Sequence, residues 1–317
     1  MTKIGKNIEL AASLLQKGEV VAIPTETVYG LAANAFNSKA VAQIFEVKNR
    51  PAFDPLIVHI GDRSMLKKIV RKIPVRAEKL MDEFWPGPLT LVLEKDSSVP
   101  DIVTSGLPTV GVRMPAHSVS LSLLQSLDFP LAAPSANPFG FVSPTTPEHV
   151  SSQLGDKIPY ILDGGDCSVG IESTIVGFEG DDVIVYRLGG LSVEEIEAVT
   201  GKVEIRISSS SPKAPGMLIK HYSPGKPLFR GDVKSVFEKN PDKIIGVISF
   251  STIYDFAIKD HLYVLSPEGD LNEAARNLFD ALRSLGKSEV NLIVAEEFPE
   301  EGLGRAINDR LKRAAAS

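Results

Sequence analysis

The sequence predicts two successive α/β units, a larger one built on a mixed, twisted sheet and a smaller one built on a parallel sheet. Three observations lead to this fold class. The chain has 317 residues, about twice the usual length of one domain. Strand-like and helix-like segments alternate in both parts of it. A stretch rich in serine, proline and glycine at 208–227 separates the two parts.

In the first unit, apolar residues recur at helical spacing from Ile8 to Leu15. Two further helices are predicted over 38–47, with Ser38 as the cap, and over 65–84, with an interruption at Pro74. Apolar runs predict strands at 19–23, 56–60, 89–93, 109–113 and 131–134.

Towards the end of this unit, the segments 174–178 and 183–187 flank Glu179-Gly180-Asp181-Asp182, which predicts a hairpin. Ser192 and Glu195 have the spacing of a capping box and predict one more helix. Because hairpins and long connections both occur, the sheet should be mixed.

The second unit has a simpler pattern. Strand-like runs at 244–250, 262–265 and 290–295 alternate with helical patterns at 270–285 and 303–314. This alternation is typical of a small Rossmann-like parallel sheet. The unit has no G-x-G-x-x-G sequence, so a dinucleotide is not implied. We expect a first domain over residues 1–207, a linker or lid loop over 208–228 and a second domain over 229–317.

Composition excludes several classes of protein. With 43% hydrophobic and 23% charged residues, the chain is not globally disordered. Its single cysteine, Cys167, excludes a disulfide framework within the chain and a cysteine-rich zinc site. No apolar run approaches the roughly 18 residues of a membrane helix, and the N-terminus lacks the apolar core of a secretory signal. We therefore expect a cytoplasmic protein with no membrane contact.

Charge and motifs narrow the chemistry further. Residues 1–207 contain 19 Lys and Arg against 25 Asp and Glu, which argues against broad nucleic-acid binding. Walker-type phosphate loops, H-E-x-x-H and G-x-S-x-G are all absent, and the five histidines are dispersed. No metal cluster is predicted. An enzyme with this inventory would position its substrates electrostatically, without a covalent intermediate.

Two kinds of position attract attention as ligand contacts. If residues 48–51 are extended, Lys48 and Arg50 point at one site and suit a polyphosphate, although a solvated helix end explains them too. Arg113 ends a strand that contains Gly111, which fits a carboxylate site, although an edge-strand arginine in water is the alternative. Arg187 ends its strand in the same way.

Polar residues also follow two predicted strands. Ser135 and Asn137 share a face if the chain there is extended, among small residues that allow a ligand to approach. The segment around Thr25 follows the strand 19–23 in the same manner. An ordinary strand-to-turn transition would explain both.

Taken together, these segments resemble the L-threonylcarbamoyladenylate synthase family of the two-domain type, with a YrdC-type catalytic domain and a Rossmann-like C-terminal domain. The matching stretches appear in family order and span nearly all of residues 1–207. They are PTETVYGLA (24–32), KNRP with PLIVHI (48–60), WPGPLTLVL (85–93), TVGVRMP (109–115), APSANPFG (133–140), ESTIV (172–176) and YRLGG (186–190). The linker, with PGM and HYSP, and the second unit also resemble the family.

The resemblance implies a nucleotidyltransferase reaction. L-Threonine, bicarbonate or CO₂, and ATP give L-threonylcarbamoyladenylate and pyrophosphate. The product serves the threonylcarbamoyl modification of the tRNA adenosine next to the anticodon, delivered by a separate transferase complex. Direct RNA binding by this chain is not required. Mg²⁺ is expected on the phosphates, with few or no protein ligands.

The resemblance also implies roles for individual residues. Lys48, Arg50, Ser135 and Asn137 match the catalytic signature and are assigned to the ATP phosphates and the reacting carbamate. The threonine pocket is expected to comprise Thr25, His59, Arg113 and Ser173. The expected nucleotide contacts are Lys48, Thr109, Ser135, Ser143, Arg187 and Tyr222, the last as part of a lid. A buried structural role is the alternative for His59.

Two positions depart from the family pattern. Leu218 and Ile219 stand after PGM where many members have a polar or aromatic pair. Phe139 stands where several members have a small serine, and it should either narrow the pocket or pack behind it. Two other functions stay open at this stage: an RNA- or nucleotide-binding assembly factor, and a hydrolase or carbamoyltransferase that uses another acceptor.

Overall fold

A computed structural model describes residues 2–207 and 221–316. It contains an eleven-stranded mixed sheet and a separate four-stranded parallel sheet, as the sequence predicts. The strands of the larger sheet are β1 (Lys3–Gly5), β2 (Val21–Ile23), β3 (Gly30–Asn34), β4 (Ile57–His59), β5 (Leu89–Glu94), β6 (Thr109–Arg113), β7 (Leu131–Ala132), β8 (Tyr160–Leu162), β9 (Thr174–Glu179), β10 (Asp182–Arg187) and β11 (Glu204–Ile205).

Seven α-helices accompany this sheet within the described residues. They are α1 (Ile8–Gln16), α2 (Ser38–Lys48), α3 (Val75–Phe84), α4 (Asp101–Thr104), α5 (Ser118–Gln125), α6 (Pro147–Leu154) and α7 (Val193–Thr200). A 3₁₀ helix at Arg63–Lys68 precedes α3.

Strand order in the larger sheet is β1-β8-β2-β3-β7-β4-β6-β5-β9-β10-β11. The parallel pair β4–β6 places His59 beside Arg113, and the antiparallel pair β5–β6 places Thr90 opposite Arg113. Since directly paired residues project from the same face of a sheet, these three side chains share one face. That face carries the candidate site.

Several local predictions for the first unit can be checked. The β9–β10 hairpin and the capping box of Ser192 with Glu195 are both confirmed. The predicted cap of α2 is wrong, because Asn37 accepts hydrogen bonds from the first helical N–H groups and Ser38 is already helical. The helix predicted over 65–84 is divided, and α3 begins directly after Pro74.

The smaller sheet has the order β12-β15-β13-β14, and all of its strand pairs are parallel. Its elements are β12 (Leu228–Arg230), α8 (Val233–Lys239), β13 (Ile245–Ser249), β14 (Leu262–Val264), α9 (Leu271–Lys287), β15 (Leu292–Ala295) and α10 (Gly304–Ala315), with a 3₁₀ helix at Lys259–His261. The sequence predicts α9, α10 and β13 to β15 but misses β12 and α8, which are only three and seven residues long.

The two sheets share one continuous apolar core. The largest cluster of buried apolar side chains extends from the first sheet to α9 and α10. Tyr222 stacks on Phe279 of α9 with ring centroids 5.3 Å apart. Arg283 of α9 donates to the carbonyl oxygens of Val142 and Ser143. The division of the chain into a first domain (1–207), a linker (208–228) and a second domain (229–317) therefore stays a prediction. None of the described helices is long and apolar enough to cross a membrane.

Candidate active site

A cavity opens on the face of the larger sheet that carries Arg113 and His59. It encloses about 620 Å³ of space, a figure that includes its open mouth. Eight of the residues singled out in the sequence line it: Thr25, Arg50, His59, Arg113, Ser135, Ser173, Arg187 and Tyr222. Residues of the first domain and of the end of the linker thus meet at one place.

The Arg113 guanidinium lies at the end of β6 and is held on three sides. Its Nε donates to the Gly87 carbonyl oxygen at 3.2 Å, and one Nη donates to the Thr27 hydroxyl at 2.8 Å. The other Nη lies 2.6 Å from a carboxylate oxygen of Glu26, and both side chains are buried. A guanidinium has five N–H groups, so protons remain for an anionic ligand in the cavity.

His59 sits beside Arg113 as a neutral imidazole. Burial, reinforced by the neighbouring Arg113 charge, lowers the pKa of His59 to about 3. Its Nδ1 lies 3.3 Å from the Ile57 carbonyl oxygen, which can only accept a hydrogen bond. Nδ1 therefore carries the proton, and Nε2 has a free lone pair. This arrangement makes His59 a hydrogen-bond acceptor in the cavity.

Arg50 is anchored by the turn that follows it. Its Nη2 lies 2.9 Å from the Asp54 carboxylate, its Nε donates to the Asp54 carbonyl oxygen at 3.0 Å, and Nη2 also donates to that of Pro55 at 2.8 Å. Burial lowers the pKa of Arg50, and Asp54 opposes that shift. Phe139 lies beside it, with the guanidinium carbon 5.9 Å from the ring centre. Phe139 therefore packs behind Arg50.

Lys48 has a different position from Arg50. It is the last residue of α2, and Asn49 turns the chain with a left-handed backbone (φ 52°). The extended geometry predicted for residues 48–50 is therefore wrong, and Lys48 does not line the cavity. Its ammonium donates to the backbone carbonyls of Ser135 at 2.6 Å and Asn137 at 2.5 Å. Burial and then Arg50 lower the pKa of Lys48 well below its ordinary value.

The loop held by Lys48 presents only one of its two predicted polar side chains. Ser135 lines the cavity, whereas Asn137 is 1% exposed and does not. The Asn137 amide donates instead to the carbonyl oxygens of Pro138 and Phe141. Asn137 and Lys48 therefore fix the shape of this loop in the structure.

Arg187 and Ser173 form a compact pair in the cavity wall. Arg187 donates from Nε and Nη2 to the Ser173 carbonyl oxygen, at 3.0 and 2.8 Å, and from Nη2 to the Ser173 hydroxyl, at 3.0 Å. The Thr90 hydroxyl lies 2.7 Å from the same Ser173 oxygen. Burial lowers the pKa of Arg187 to about 10, with Glu172 acting in the opposite direction. Arg187 remains charged at neutral pH.

Glu172 lines the cavity and forms an ion pair with a residue of the second domain. Its carboxylate accepts a hydrogen bond from Ser143 at 2.5 Å and lies 3.1 Å from Arg310 of α10. Burial alone would raise the pKa of Glu172, but Arg310 and then Arg187 lower it to about 2. Glu172 is therefore ionised, and the Ser143 proton is committed to it.

The end of the linker enters the site. Tyr222 is 2% exposed with a left-handed backbone (φ 64°), and the Arg310 guanidinium carbon lies 5.5 Å from its ring centre. His221 packs against Tyr222 with ring centroids 4.1 Å apart. Burial lowers the pKa of His221 to about 3, so this ring is neutral. Leu218 and Ile219 lie outside the described residues.

Four predicted residues lie outside the lining of the cavity. They are Lys48, Thr109, Asn137 and Ser143. Thr109 is at the opposite end of β6 from Arg113, where it lines a separate surface groove with Val92 and Phe178.

Three residues at the site were missed as individual contacts. Glu172 begins the ESTIV stretch (172–176), and Asp54 lies between KNRP and PLIVHI (48–60). Both could therefore have been found from the motifs that carry the family resemblance. Arg310 belongs to an amphipathic helix, and no local pattern distinguishes it from the other cations there.

Comparisons with known proteins show which family the chain resembles. A family model described as telomere recombination, named for Sua5, YciO and YrdC, matches residues 13–189. A second, described as the C-terminal domain of threonylcarbamoyl-AMP synthase, matches residues 191–316. The chain is 44% identical to the threonylcarbamoyl-AMP synthase of Pyrococcus abyssi, over 97% of this chain and 94% of that one. It is 41% identical to that of Bacillus subtilis, over 97% and 92%.

A solved structure extends the similarity to three dimensions. The crystal structure of P. abyssi Sua5 complexed with L-threonine has a TM-score of 0.93 and 41% sequence identity, and covers 100% of this chain and 98% of that chain. Both domains and their relative placement are thus shared with that protein. The chain belongs to the Sua5 family of threonylcarbamoyl-AMP synthases.

Proposed function

We propose that this chain is a threonylcarbamoyl-AMP synthase that condenses L-threonine, bicarbonate or CO₂, and ATP into L-threonylcarbamoyladenylate and pyrophosphate. The observation that carries the proposal is the convergence of Arg50, Arg113 and Arg187 on one enclosed cavity. Three guanidinium groups suit a triphosphate and a carboxylate held together. Family membership independently supports the same activity.

The chemistry requires positioning more than a nucleophile from the enzyme. The threonine amine adds to CO₂ and loses a proton to give a carbamate. A carbamate oxygen then attacks the α-phosphorus of ATP, and the bond to pyrophosphate breaks. Both intermediates react with water, so an enclosed, cation-lined cavity is what this sequence of steps needs.

On the amino-acid side, we assign Arg113 to the threonine carboxylate. His59 accepts a hydrogen bond from the ammonium or the side-chain hydroxyl, since its Nε2 lone pair is available. Ser173 supplies a hydroxyl to the same substrate. Thr25 lines the pocket, but its hydroxyl donates to the Val28 carbonyl oxygen at 2.6 Å, so it shapes the pocket rather than donating to a ligand.

On the nucleotide side, we assign Arg50, Ser135, Arg187 and Tyr222 to ATP. Lys48 and Asn137 act through the loop that presents Ser135, because both contact its backbone. Ser143 acts through Glu172, to which its hydroxyl donates. Tyr222, as part of a lid, would move to admit substrates. Thr109 would contact the nucleotide only if its base extends along β6.

Mg²⁺ is expected with ATP, held mainly by the phosphates with few or no protein ligands. No group of three or more His, Cys, Asp or Glu side chains within residues 2–207 and 221–316 could hold a metal. The two carboxylates that line the cavity, Asp54 and Glu172, are each paired with an arginine. We propose that the ion arrives on the phosphates, and no step is assigned to it.

The finer classification follows from the proposed reaction. Transfer of an adenylyl group makes the enzyme a nucleotidyltransferase. Its adenylate is a mixed anhydride, so a second enzyme must transfer the threonylcarbamoyl group to the tRNA adenosine next to the anticodon. We infer a tRNA threonylcarbamoyl transferase complex as that partner. Direct RNA binding is not required, and the cytoplasmic location stays a prediction.

The test is a pyrophosphate-release assay with single omissions. We expect release only when ATP, threonine and bicarbonate are all present. Release that is independent of threonine would favour a hydrolase, and salt-sensitive RNA binding without any release would favour an assembly factor.

A further inference from the structure

We propose that Thr90, which does not line the cavity, is a positioning residue that makes the Ser173 hydroxyl a hydrogen-bond donor towards the amino-acid substrate. The inference deepens the proposed function and rests on it. The argument concerns where each proton of a small buried network must lie.

The first step is the Thr90 proton. Thr90 is the second residue of β5, is 0% exposed, and has its hydroxyl 2.7 Å from the Ser173 hydroxyl. Across residues 2–207 and 221–316, this is the only hydrogen bond of the Thr90 hydroxyl. A buried O–H group that donates to nothing loses the free energy of its hydration without compensation. Thr90 therefore donates to Ser173.

The second step concerns the Ser173 oxygen. It also accepts the Nη2–H of Arg187 at 3.0 Å. A hydroxyl oxygen has two acceptor sites, and these two donors fill both. The Ser173 hydroxyl can therefore only donate to a ligand. Its proton is available, because no other acceptor for it is present in the described part of the chain. Ser173 lines the cavity.

Thr25 provides a contrast in the same cavity. Its hydroxyl donates to the Val28 carbonyl oxygen, so its single proton is already used. The Thr27 hydroxyl, 2.8 Å away, must then be the donor in the pair that it makes with Thr25. A ligand that needs a donor finds one at Ser173 and does not find one at Thr25.

The ligand chemistry follows from this polarity. A hydroxyl whose lone pairs are both occupied stabilises an anionic oxygen and cannot accept from an ammonium group. The carboxylate of the amino acid, or the carbamate formed from its amine, is the group that fits. The neutral His59, on the same face, offers the complementary acceptor.

The test uses two substitutions, one that removes the hydroxyl of Thr90 and one that removes its methyl group. Thr90→Val keeps the shape and removes the hydroxyl, whereas Thr90→Ser keeps the hydroxyl and removes the methyl. That methyl packs over Gly111, where an added Cβ would lie 3.3 Å from it. We expect Thr90→Val to raise the KM for threonine about tenfold, the effect of one lost hydrogen bond, with the KM for ATP unchanged. Thr90→Ser should stay within about twofold of wild type.

The coupling to Ser173 is tested by Ser173→Ala and the double variant. If Thr90 acts through Ser173, the double variant has the same KM for threonine as Ser173→Ala alone. Equal losses in Thr90→Val and Thr90→Ser would overturn the proposal, because packing would then explain both. Additive losses in the double variant would also overturn it. Thermal unfolding of each variant identifies any loss of fold, and Thr90→Ala replaces Thr90→Val if that variant does not fold.

Direct threonine binding by calorimetry keeps this inference distinct from the proposed function. A wild-type chain that binds threonine but releases no pyrophosphate would refute the synthase activity. The order of affinities among wild type, Thr90→Ser and Thr90→Val would still decide the role of Thr90, and equal affinities for all three would contradict it.

Discussion

The cations of the active site come from two regions that act in different ways. Arg50, Arg113 and Arg187 belong to the larger sheet and line the cavity. Arg310 and Arg283 belong to the second domain and reach the same region from behind, where they bind carboxylate and carbonyl oxygens of the first domain. In the proposed function the first group binds the ligands, whereas the second group binds the part of the first domain that forms the cavity wall.

This difference explains what the second domain contributes. Glu172 lines the cavity, is 7% exposed, and is neutralised by Arg310 across the domain boundary. Arg310 also lies over the ring of Tyr222, the linker residue in the site. A buried carboxylate without such a partner is strongly unfavourable. The second domain is therefore part of the active-site structure, and the comparison can be tested one cation at a time.

The largest effect is expected from Arg310→Met. This change leaves the Glu172 carboxylate buried with its nearest cation removed, which should lower the free energy of unfolding by roughly 3–5 kcal/mol. Denaturant unfolding measures the loss. Combining it with Glu172→Gln should recover much of the stability, because the unpaired Glu172 carboxylate is then removed as well, while Asp309, the other carboxylate beside Arg310, keeps its contact with Arg313. A double variant less stable than Arg310→Met alone would contradict this account.

Arg50→Ala tests the other group of cations. We expect threonine-dependent pyrophosphate release to become slower, because the transition state loses roughly 2.7–4 kcal/mol of stabilisation, by analogy with other lost charge-stabilising contacts. The matched control is Arg71→Ala, since Arg71 is more than half exposed and its contact with Glu94 is 3.7 Å long. Steady-state kinetics of both variants decide the matter. Equal activities would remove Arg50 from the catalytic machinery.

The loss of folding stability in acid should measure the contribution of the Glu172–Arg310 pair. The pKa of Glu172 is lowered from 4.5 to about 2 in the folded protein, so protons bind preferentially to the unfolded chain. The contribution is complete above about pH 4.5 and is lost as pH falls towards 2, with an upper limit of about 3 kcal/mol. In Glu172→Gln, this part of the pH dependence of unfolding should be missing. An unchanged slope would exclude the pair as its source.

The smallest effect is expected at the rim of the domain boundary. His149 of α6 lies 3.4 Å from Asp280 of α9, and the Asp280 side chain is 60% exposed. Hydrogen bonding by His149 lowers the pKa of Asp280, but solvent screens the pair. Asp280→Asn should therefore cost less than about 1 kcal/mol in denaturant unfolding. A loss as large as that of Arg310→Met would contradict the comparison, because the exposed rim would then stabilise the protein as much as the buried pair does.

Local patterns could predict much of the fold and the first group of cations. Apolar periodicity indicated the main helices and both sheets, and Arg113 and Arg187 could be recognised because each ends a buried strand. Lys48 could not be placed, because the left-handed turn at Asn49 replaces the extended geometry that the prediction assumed. Short strands such as Gly30–Asn34 were missed, since GLAAN has little intrinsic strand preference and forms one only by pairing with its neighbours.

The second group of cations had no signal in the sequence. Arg310 is one of four cations in α10, and only the packing of that helix against the first domain selects it as the partner of Glu172. Glu172 and Arg310 are 138 positions apart in the sequence, so their contact depends on tertiary structure and no local sequence pattern predicts it. The same holds for Thr90, whose role depends on the pairing of β5 with β9.

The most direct test of the central claim is a mass spectrum of the products formed from ATP, threonine and ¹³C-labelled bicarbonate. The account predicts an adenylate that contains both threonine and the labelled carbon, formed together with pyrophosphate. If ATP is consumed and only unlabelled AMP or ADP appears, with no threonine-containing adenylate, then the cavity does not carry out the proposed condensation.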